Sequence, residues 1–103
     1  MKHTPAPWLR DGRTVYALQD SDSRFTDKEN RFSAGFFAGR NCSEIEVEAN
    51  AQLAMTAPEL LDVLIQALPH VREQAKVDGH AFGTLQLMCK IIKKTQGEPL
   101  NDI

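Results

Sequence analysis

The residues best suited to catalysis are two cysteines and three histidines, and the sequence keeps them apart: Cys42, Cys89, His3, His70 and His80. A thiol nucleophile needs an imidazole within hydrogen-bond reach, and a zinc site needs ligands at short, regular spacing. Nothing in the sequence places a histidine beside either cysteine or gives zinc-ligand spacing, and no nucleophile elbow or glycine-rich phosphate loop is present. We therefore expect no catalytic residues, no metal site, no cofactor and no enzymatic activity.

Binding chemistry is better represented. Arg31 and Arg40 flank a segment containing phenylalanines, where an arginine can pair with phosphate and an aromatic ring can stack on a base. The net charge of −2 and the isoelectric point near 5.9 argue against DNA or RNA, which need a basic surface. A single small nucleotide needs only one or two arginines and one aromatic face.

The candidate ligand contacts are therefore Trp8, Arg31, Arg40 and Asn50. Phe32 and Phe36 are better explained as core residues than as stacking platforms. Asn50 lies between two alanines in a predicted helix, where it either faces solvent or makes a buried hydrogen bond, and the sequence leaves both options open.

These residues must be positioned by a β part over residues 1–40. Asp11-Gly12 predicts a hairpin turn between two short strands. Residues 20–30 are almost all polar and predict a long loop in which Phe25 is the only apolar anchor. Residues 31–38 alternate with period two, which predicts a strand with Phe32 and Phe36 on its buried face.

After Gly39 the apolar period changes to that of a helix. Ser43 and Glu46 fit a capping box at its start. Pro58 predicts a kink or two nearly collinear segments, with a second capping box at Thr56, and Pro69 predicts a bend or an end. One apolar stripe is predicted to face the core, and it comprises Ile45, Ala49, Leu53, Ala57, Leu60, Leu64, Ala67 and Val71.

A further stripe of Leu61, Ile65 and Leu68 makes this helix apolar on more than one side, which is more than a single core face requires. A last helix is predicted over residues 81–95, and residues 97–103 are predicted to form a loose tail. In so small a domain, the surplus apolar surface predicts a homo-oligomer assembled through the helices.

The whole chain of 103 residues, 42% hydrophobic and 25% charged, is thus predicted to be one α+β domain. A small N-terminal antiparallel sheet packs on a long, proline-interrupted helix and a C-terminal helix. No apolar run is long enough to cross a bilayer, and the first residues lack the apolar core of a secretory signal. A cytoplasmic location without membrane association is expected.

The segments His3-Thr4-Pro5-Ala6-Pro7-Trp8, Ala49-Asn50-Ala51-Gln52-Leu53 and Ala57-Pro58-Glu59-Leu60-Leu61 resemble small proteins encoded by tailed phages and prophages. The order of sheet first and helices last, with Ala-Asn-Ala in a helix, is more distantly similar to the phage Thoeris anti-defence sponge. That family consists of non-catalytic oligomers that hold cyclic nucleotide immune signals between subunits, with arginines and an aromatic side chain on the ligand. Gln52 stands where those proteins have an arginine, and Pro58-Glu59 replaces a different stretch.

The resemblance implies a phage accessory protein in the host bacterial cytoplasm that sequesters a small nucleotide signal within a homo-oligomer. The alternative is an inhibitor or adaptor that binds a host protein through its helical face. An enzyme acting on nucleotides has the least support, because no base, nucleophile or metal cluster is visible.

Overall fold

The computed structural model describes residues 2–21 and 27–97. Three strands precede two helices: β1 (Leu9–Asp11), β2 (Thr14–Asp20), β3 (Lys28–Gly35), α1 (Glu44–Gln74) and α2 (Gly79–Thr95). The strands form one antiparallel sheet in the order β1-β2-β3. This architecture confirms the predicted α+β class.

The predicted hairpin turn is present between β1 and β2. Asp11 pairs with Thr14, which leaves a two-residue loop of Gly12 and Arg13. Gly12 has φ +60° and is the first residue of this loop, the position at which a type II′ turn requires a glycine. Its backbone conformation fixes the register of β2 against β1.

The polar segment predicted as a long loop is partly strand. β2 extends to Asp20 and β3 begins at Lys28, and the two side chains form an ion pair of 2.6 Å between Nζ and Oδ1. The Gln19 amide donates to Glu29 Oε1 at 2.9 Å on the next pair. These cross-strand contacts stabilise polar residues in a sheet. Phe25 lies outside the described residues.

The chain divides into two compact units, and the boundary falls within α1. Thr4–Glu59 forms the sheet–helix unit, which contains the sheet and the first part of α1. Leu60–Ile103, together with Met1–His3, forms the helical unit, which contains the rest of α1 and all of α2. Residues 98–103 of the predicted tail lie outside the described residues.

The sheet–helix unit has its core on one face of the sheet. Val15 and Ala17 on β2 and Val47 and Ala51 on α1 are 2% exposed or less. Arg10 is paired with Val15 in the sheet, so both side chains lie on the same face, and Arg10 Nε donates to Gln52 Oε1 at 2.7 Å. The first part of α1 therefore lies over this face.

The prediction of which face of α1 is buried is wrong for this part of the helix. Val47, Ala51 and Pro58 are the buried residues, whereas Ile45 and Leu53 are 81% and 64% exposed. Ala51 is completely buried. The buried face of this part of the helix is therefore the one that carries Val47 and Ala51, and the face with the larger side chains Ile45 and Leu53 is exposed.

Ser43 caps the start of α1 as predicted, because its hydroxyl accepts a hydrogen bond from the Glu46 amide at 3.2 Å. The prediction of a second capping box at Thr56 is wrong. Thr56 lies within the helix, and its hydroxyl donates to the carbonyl of Leu53 at 2.9 Å. α1 also runs through Pro58 and Pro69 without ending.

In the helical unit, α2 begins at Gly79, slightly earlier than the predicted start at residue 81. Asp78 is the N-cap, and its carboxylate accepts a hydrogen bond from the His80 amide at 2.9 Å. Lys93 and Lys94 lie in the last turn, where they offset the negative end of the helix dipole. Gly97, with φ +76°, follows the helix.

Candidate binding surfaces

Trp8 is a structural anchor of the sheet–helix unit. Its ring meets the ring of Phe32 edge to face, with centroids 5.0 Å apart, and its indole Nε1 donates to the carbonyl of Thr4 at 2.9 Å. Such aromatic pairs stabilise a fold beyond the area they bury. Trp8 remains half-buried, so its role as a base-stacking platform stays a prediction.

Arg31 lies at a β-bulge. Ala17 pairs with Phe32 and Leu18 pairs with Asn30, so Arg31 is the extra residue on β3. A bulge disrupts the ladder locally and redirects a side chain, and such bulges are frequent next to functional sites. The Arg31 side chain is exposed and makes no hydrogen bond or ion pair within the described part of the chain.

Arg40 and Asn50 are both exposed. Arg40 is in the turn before α1, and Asn50 is on the first part of that helix. The solvent-facing reading of Asn50 therefore fits the structure. No hydrogen bond, ion pair or ring contact links Trp8, Arg31, Arg40 and Asn50 to one another among residues 2–21 and 27–97.

Cys42 belongs to the same unit as these residues and is poorly suited to nucleophilic chemistry. Partial burial raises the pKa of the Cys42 thiol, and the neighbouring Glu46 carboxylate raises it further. Within the described residues, no group of three or more His, Cys, Asp or Glu side chains could hold a metal ion. Neither described helix is both long enough and apolar enough to span a bilayer.

The most distinctive surface of the sheet–helix unit is an exposed apolar stripe on α1. It consists of Ile45, Ala49 and Leu53, which are spaced four residues apart on one helix face, and we call it the α1 stripe. Glu46 and Glu48 flank it, one turn from Ala49 and Ile45 respectively. This stripe is therefore an apolar surface with an acidic border.

The helical unit leaves many of its large apolar side chains exposed. Met88 is its only buried hydrophobic side chain among the described residues, at 7% exposure. Its exposed large apolar residues are Leu60, Val63, Ile65, Val77, Phe82, Leu87 and Ile91. Of the predicted surplus stripe, Ile65 is exposed and Leu61 and Leu68 are half-buried. Leu60 is exposed although it was predicted to face the core, and the exposed face of α2 was not predicted.

One face of α2 repeats the spacing of the α1 stripe. Gly83, Leu87 and Ile91 follow each other at intervals of four residues, and we call this face the α2 stripe. Leu87 and Ile91 are 61% and 50% exposed. A side-chain carbon added at Gly83 would meet nothing within 4 Å. Lys90 and Lys94 border this stripe, and α2 contains no acidic residue.

The fold and these surfaces define a small α+β protein that presents apolar helix faces to solvent. A family model described as Salmonella phage P22 protein Y8K6 matches residues 1–99. The chain belongs to this phage protein family, which confirms the predicted phage origin. No curated protein and no solved structure shows significant similarity to the chain.

Proposed function

We propose that this phage accessory protein acts by binding and not by catalysis, and that it works as a homo-oligomer assembled through its helices. The observation that carries this proposal is the row of exposed apolar side chains on both helices. Contiguous apolar surface of this kind marks protein interaction sites in soluble proteins.

The exposed apolar residues lie next to one another, which favours an interaction surface over chance exposure of single residues. Single apolar residues on a surface are normal, but Leu87 and Ile91 lie one turn apart on α2, and Leu60 and Val63 lie one turn apart on α1. Burying a Leu or Ile side chain contributes about 1.5–3 kcal/mol. These side chains are already about half covered, so several of them per subunit must be buried together to offset the cost of association.

The side chains that could react are poorly placed for catalysis, which supports a binding role. Burial and a nearby carboxylate keep the Cys42 thiol protonated at pH values where an ordinary thiol begins to ionise. His70 and His80 are exposed on helix surfaces. A binding role needs none of these groups to act.

The test of assembly is the mass of the purified protein in solution, measured by light scattering over a wide concentration range. We expect an oligomer. Leu53→Ser and Leu87→Ser, each in an exposed helix face, should both shift it toward the monomer. Val77→Ser is the matched control, because Val77 is 83% exposed but lies in the turn between the helices. A wild-type monomer at every concentration contradicts self-association.

Sequestration of a small nucleotide is a second candidate function, supported by the exposed arginines. Arg31 at the bulge and Arg40 before α1 have no ion-pair partner within the described residues. Unpaired guanidinium groups are suited to bidentate phosphate binding. Trp8 and Asn50 complete the proposed contacts as the stacking ring and the amide.

Thermal unfolding against a panel of cyclic di- and trinucleotides and cyclic ADP-ribose isomers tests sequestration. A ligand that binds the native state raises the unfolding midpoint, because it stabilises that state by RT ln(1 + [L]/Kd). Arg31→Ala should abolish the shift, whereas Lys76→Ala, which removes a cation of the helical unit, should preserve it. Recovery of intact ligand separates sequestration from cleavage, and an unshifted midpoint throughout contradicts the sponge.

Binding of a host protein through the helical face is the alternative to self-association and to nucleotide sequestration. It is favoured if the pure protein is monomeric and unaffected by nucleotides, yet Leu87→Ser abolishes its activity in infected cells while Val77→Ser does not.

A further inference from the structure

The two exposed stripes on the helices differ in charge. Residues 41–70 contain five acidic residues and no basic one, so the α1 stripe has an acidic border. α2 contains three lysines and no acidic residue, so the α2 stripe has a basic border. A contact between two α1 stripes, or between two parallel α2 stripes, would bring like charges together.

The two stripes also differ in size along their length. The α1 stripe has large, small and large side chains in order: Ile45, Ala49 and Leu53. The α2 stripe ends in the smallest residue at Gly83, where the space beside the backbone is open. An antiparallel alignment places Leu53 against Gly83 and Leu87 against Ala49. A large side chain then meets a small one at two of the three positions, and Ile45 meets Ile91 at the third.

The same antiparallel alignment brings the charges together. Glu46 and Glu48 lie near the start of α1, and Lys90 and Lys94 lie near the end of α2. The positive dipole end of α1 also approaches the negative dipole end of α2. Glu44 is paired with Arg13 at 2.8 Å and is not needed for this contact.

We infer that the α1 stripe of one copy of this chain docks antiparallel on the α2 stripe of a second copy. This inference rests on the proposed self-association and specifies which faces meet. The contact joins two different surfaces, so a pair of copies forms it twice when the assembly closes as a twofold dimer.

Two charge-reversed variants test the pairing. The first carries Glu46→Lys and Glu48→Lys, which makes both stripes basic. The second carries Lys90→Glu and Lys94→Glu, which makes both stripes acidic. We expect each variant alone to associate at least roughly tenfold more weakly than the wild type, because like charges then face each other.

An equimolar mixture of the two variants is the decisive sample, because every contact between unlike copies is again complementary. Native mass spectrometry should detect the mixed oligomer at wild-type strength, and circular dichroism of each variant checks that it is folded. Variants that associate alone like the wild type, or a mixture that stays dissociated, overturn the inference.

A size variant provides a second test that does not depend on charge. Ala49→Leu places a large side chain where Leu87 should pack and is expected to abolish association, whereas Ala49→Ser should preserve it. Ala49 is exposed, so neither change disturbs the core. If the wild type associates but Ala49→Leu has no effect, this pairing is wrong and self-association stands. A wild-type monomer overturns both.

Discussion

The sheet–helix unit and the helical unit bury their apolar residues to different extents. The first has a core of Val15, Ala17, Val47 and Ala51, all nearly inaccessible, whereas Met88 is the only buried hydrophobic residue described in the second. A sheet offers a broad face that one helix can cover, but two helices meet only along a line. The sheet–helix unit therefore has a buried core, whereas the helical unit leaves most of its large apolar side chains partly or fully exposed.

An aspartate introduced at an apolar position should affect folding stability in one unit and association in the other. Val47→Asp buries an unpaired carboxylate and should lower the free energy of unfolding by about 3–5 kcal/mol. Leu87→Asp, in an exposed face, should change it by less than about 0.5 kcal/mol in the monomer and weaken association instead. Urea denaturation and light scattering measure the two effects. Equal destabilisation by both variants would remove the contrast between the units.

A substitution at Met88 tests how much the small core of the helical unit contributes to the free energy of unfolding. Met88→Ala should lower the free energy of unfolding by about 2 kcal/mol, at the low end for such a change, because its exposed neighbours can collapse into the space. Denaturant unfolding followed by circular dichroism checks the value, with Leu87→Ala as a control expected to lie near the wild type. A loss as large as that of Val47→Asp would show a better-packed helical core than the exposures indicate.

The hairpin turn belongs to the sheet–helix unit alone. Gly12→Ala should cost about 1–2 kcal/mol, because an alanine is strained at positive φ. An added Cβ at Gly12 would meet no other part of the chain within 4 Å, so the cost comes from the local backbone conformation alone. Gly39→Ala, also in open space but without positive φ, is the matched control in thermal unfolding. Equal effects of the two changes would contradict the strain argument.

The two helix caps compare the units directly. Ser43→Ala removes the acceptor for the Glu46 amide, and Asp78→Ala removes the acceptor for the His80 amide. Each should cost about 1 kcal/mol. Amide hydrogen exchange should show faster exchange in the first turn of α1 for one variant and of α2 for the other. Exchange that changes throughout the chain would argue that the units unfold together.

The smallest expected effect is electrostatic. The hydrogen bond from Lys28, helped by its charge, holds the pKa of Asp20 below its ordinary value of 3.8. The pair therefore stabilises the fold above pH 3.8, and this contribution is lost as the pH falls through the lowered pKa. Titration of the Asp20 carboxyl by NMR should show a lowered midpoint that returns toward normal in Lys28→Ala. An unchanged midpoint in that variant would exclude the pair as the cause.

Local signals in the sequence predicted much of this fold. Asp11-Gly12 predicted the hairpin turn, and Ser43 predicted the start of α1, because turn and cap geometry depend on neighbouring residues. The extent of β2 and β3 was not predicted, because cross-strand contacts such as Lys28 with Asp20 join residues that periodicity does not compare.

The binding surfaces were predicted less well. Ile45 and Leu53 looked like core residues because they are large and apolar, yet the sheet packs against the face of Ala51. Helix periodicity identifies apolar faces but does not say which face the sheet covers. The bulge at Arg31 also depends on strand pairing, which is visible only in three dimensions.

The two-residue loop at Gly12 and Arg13 restricts how the length of the chain can vary among related proteins. One inserted residue would shift β2 by one position and turn Val15 and Ala17 away from α1. Insertions and deletions should therefore be absent from this loop across the family, even where the surrounding residues diverge.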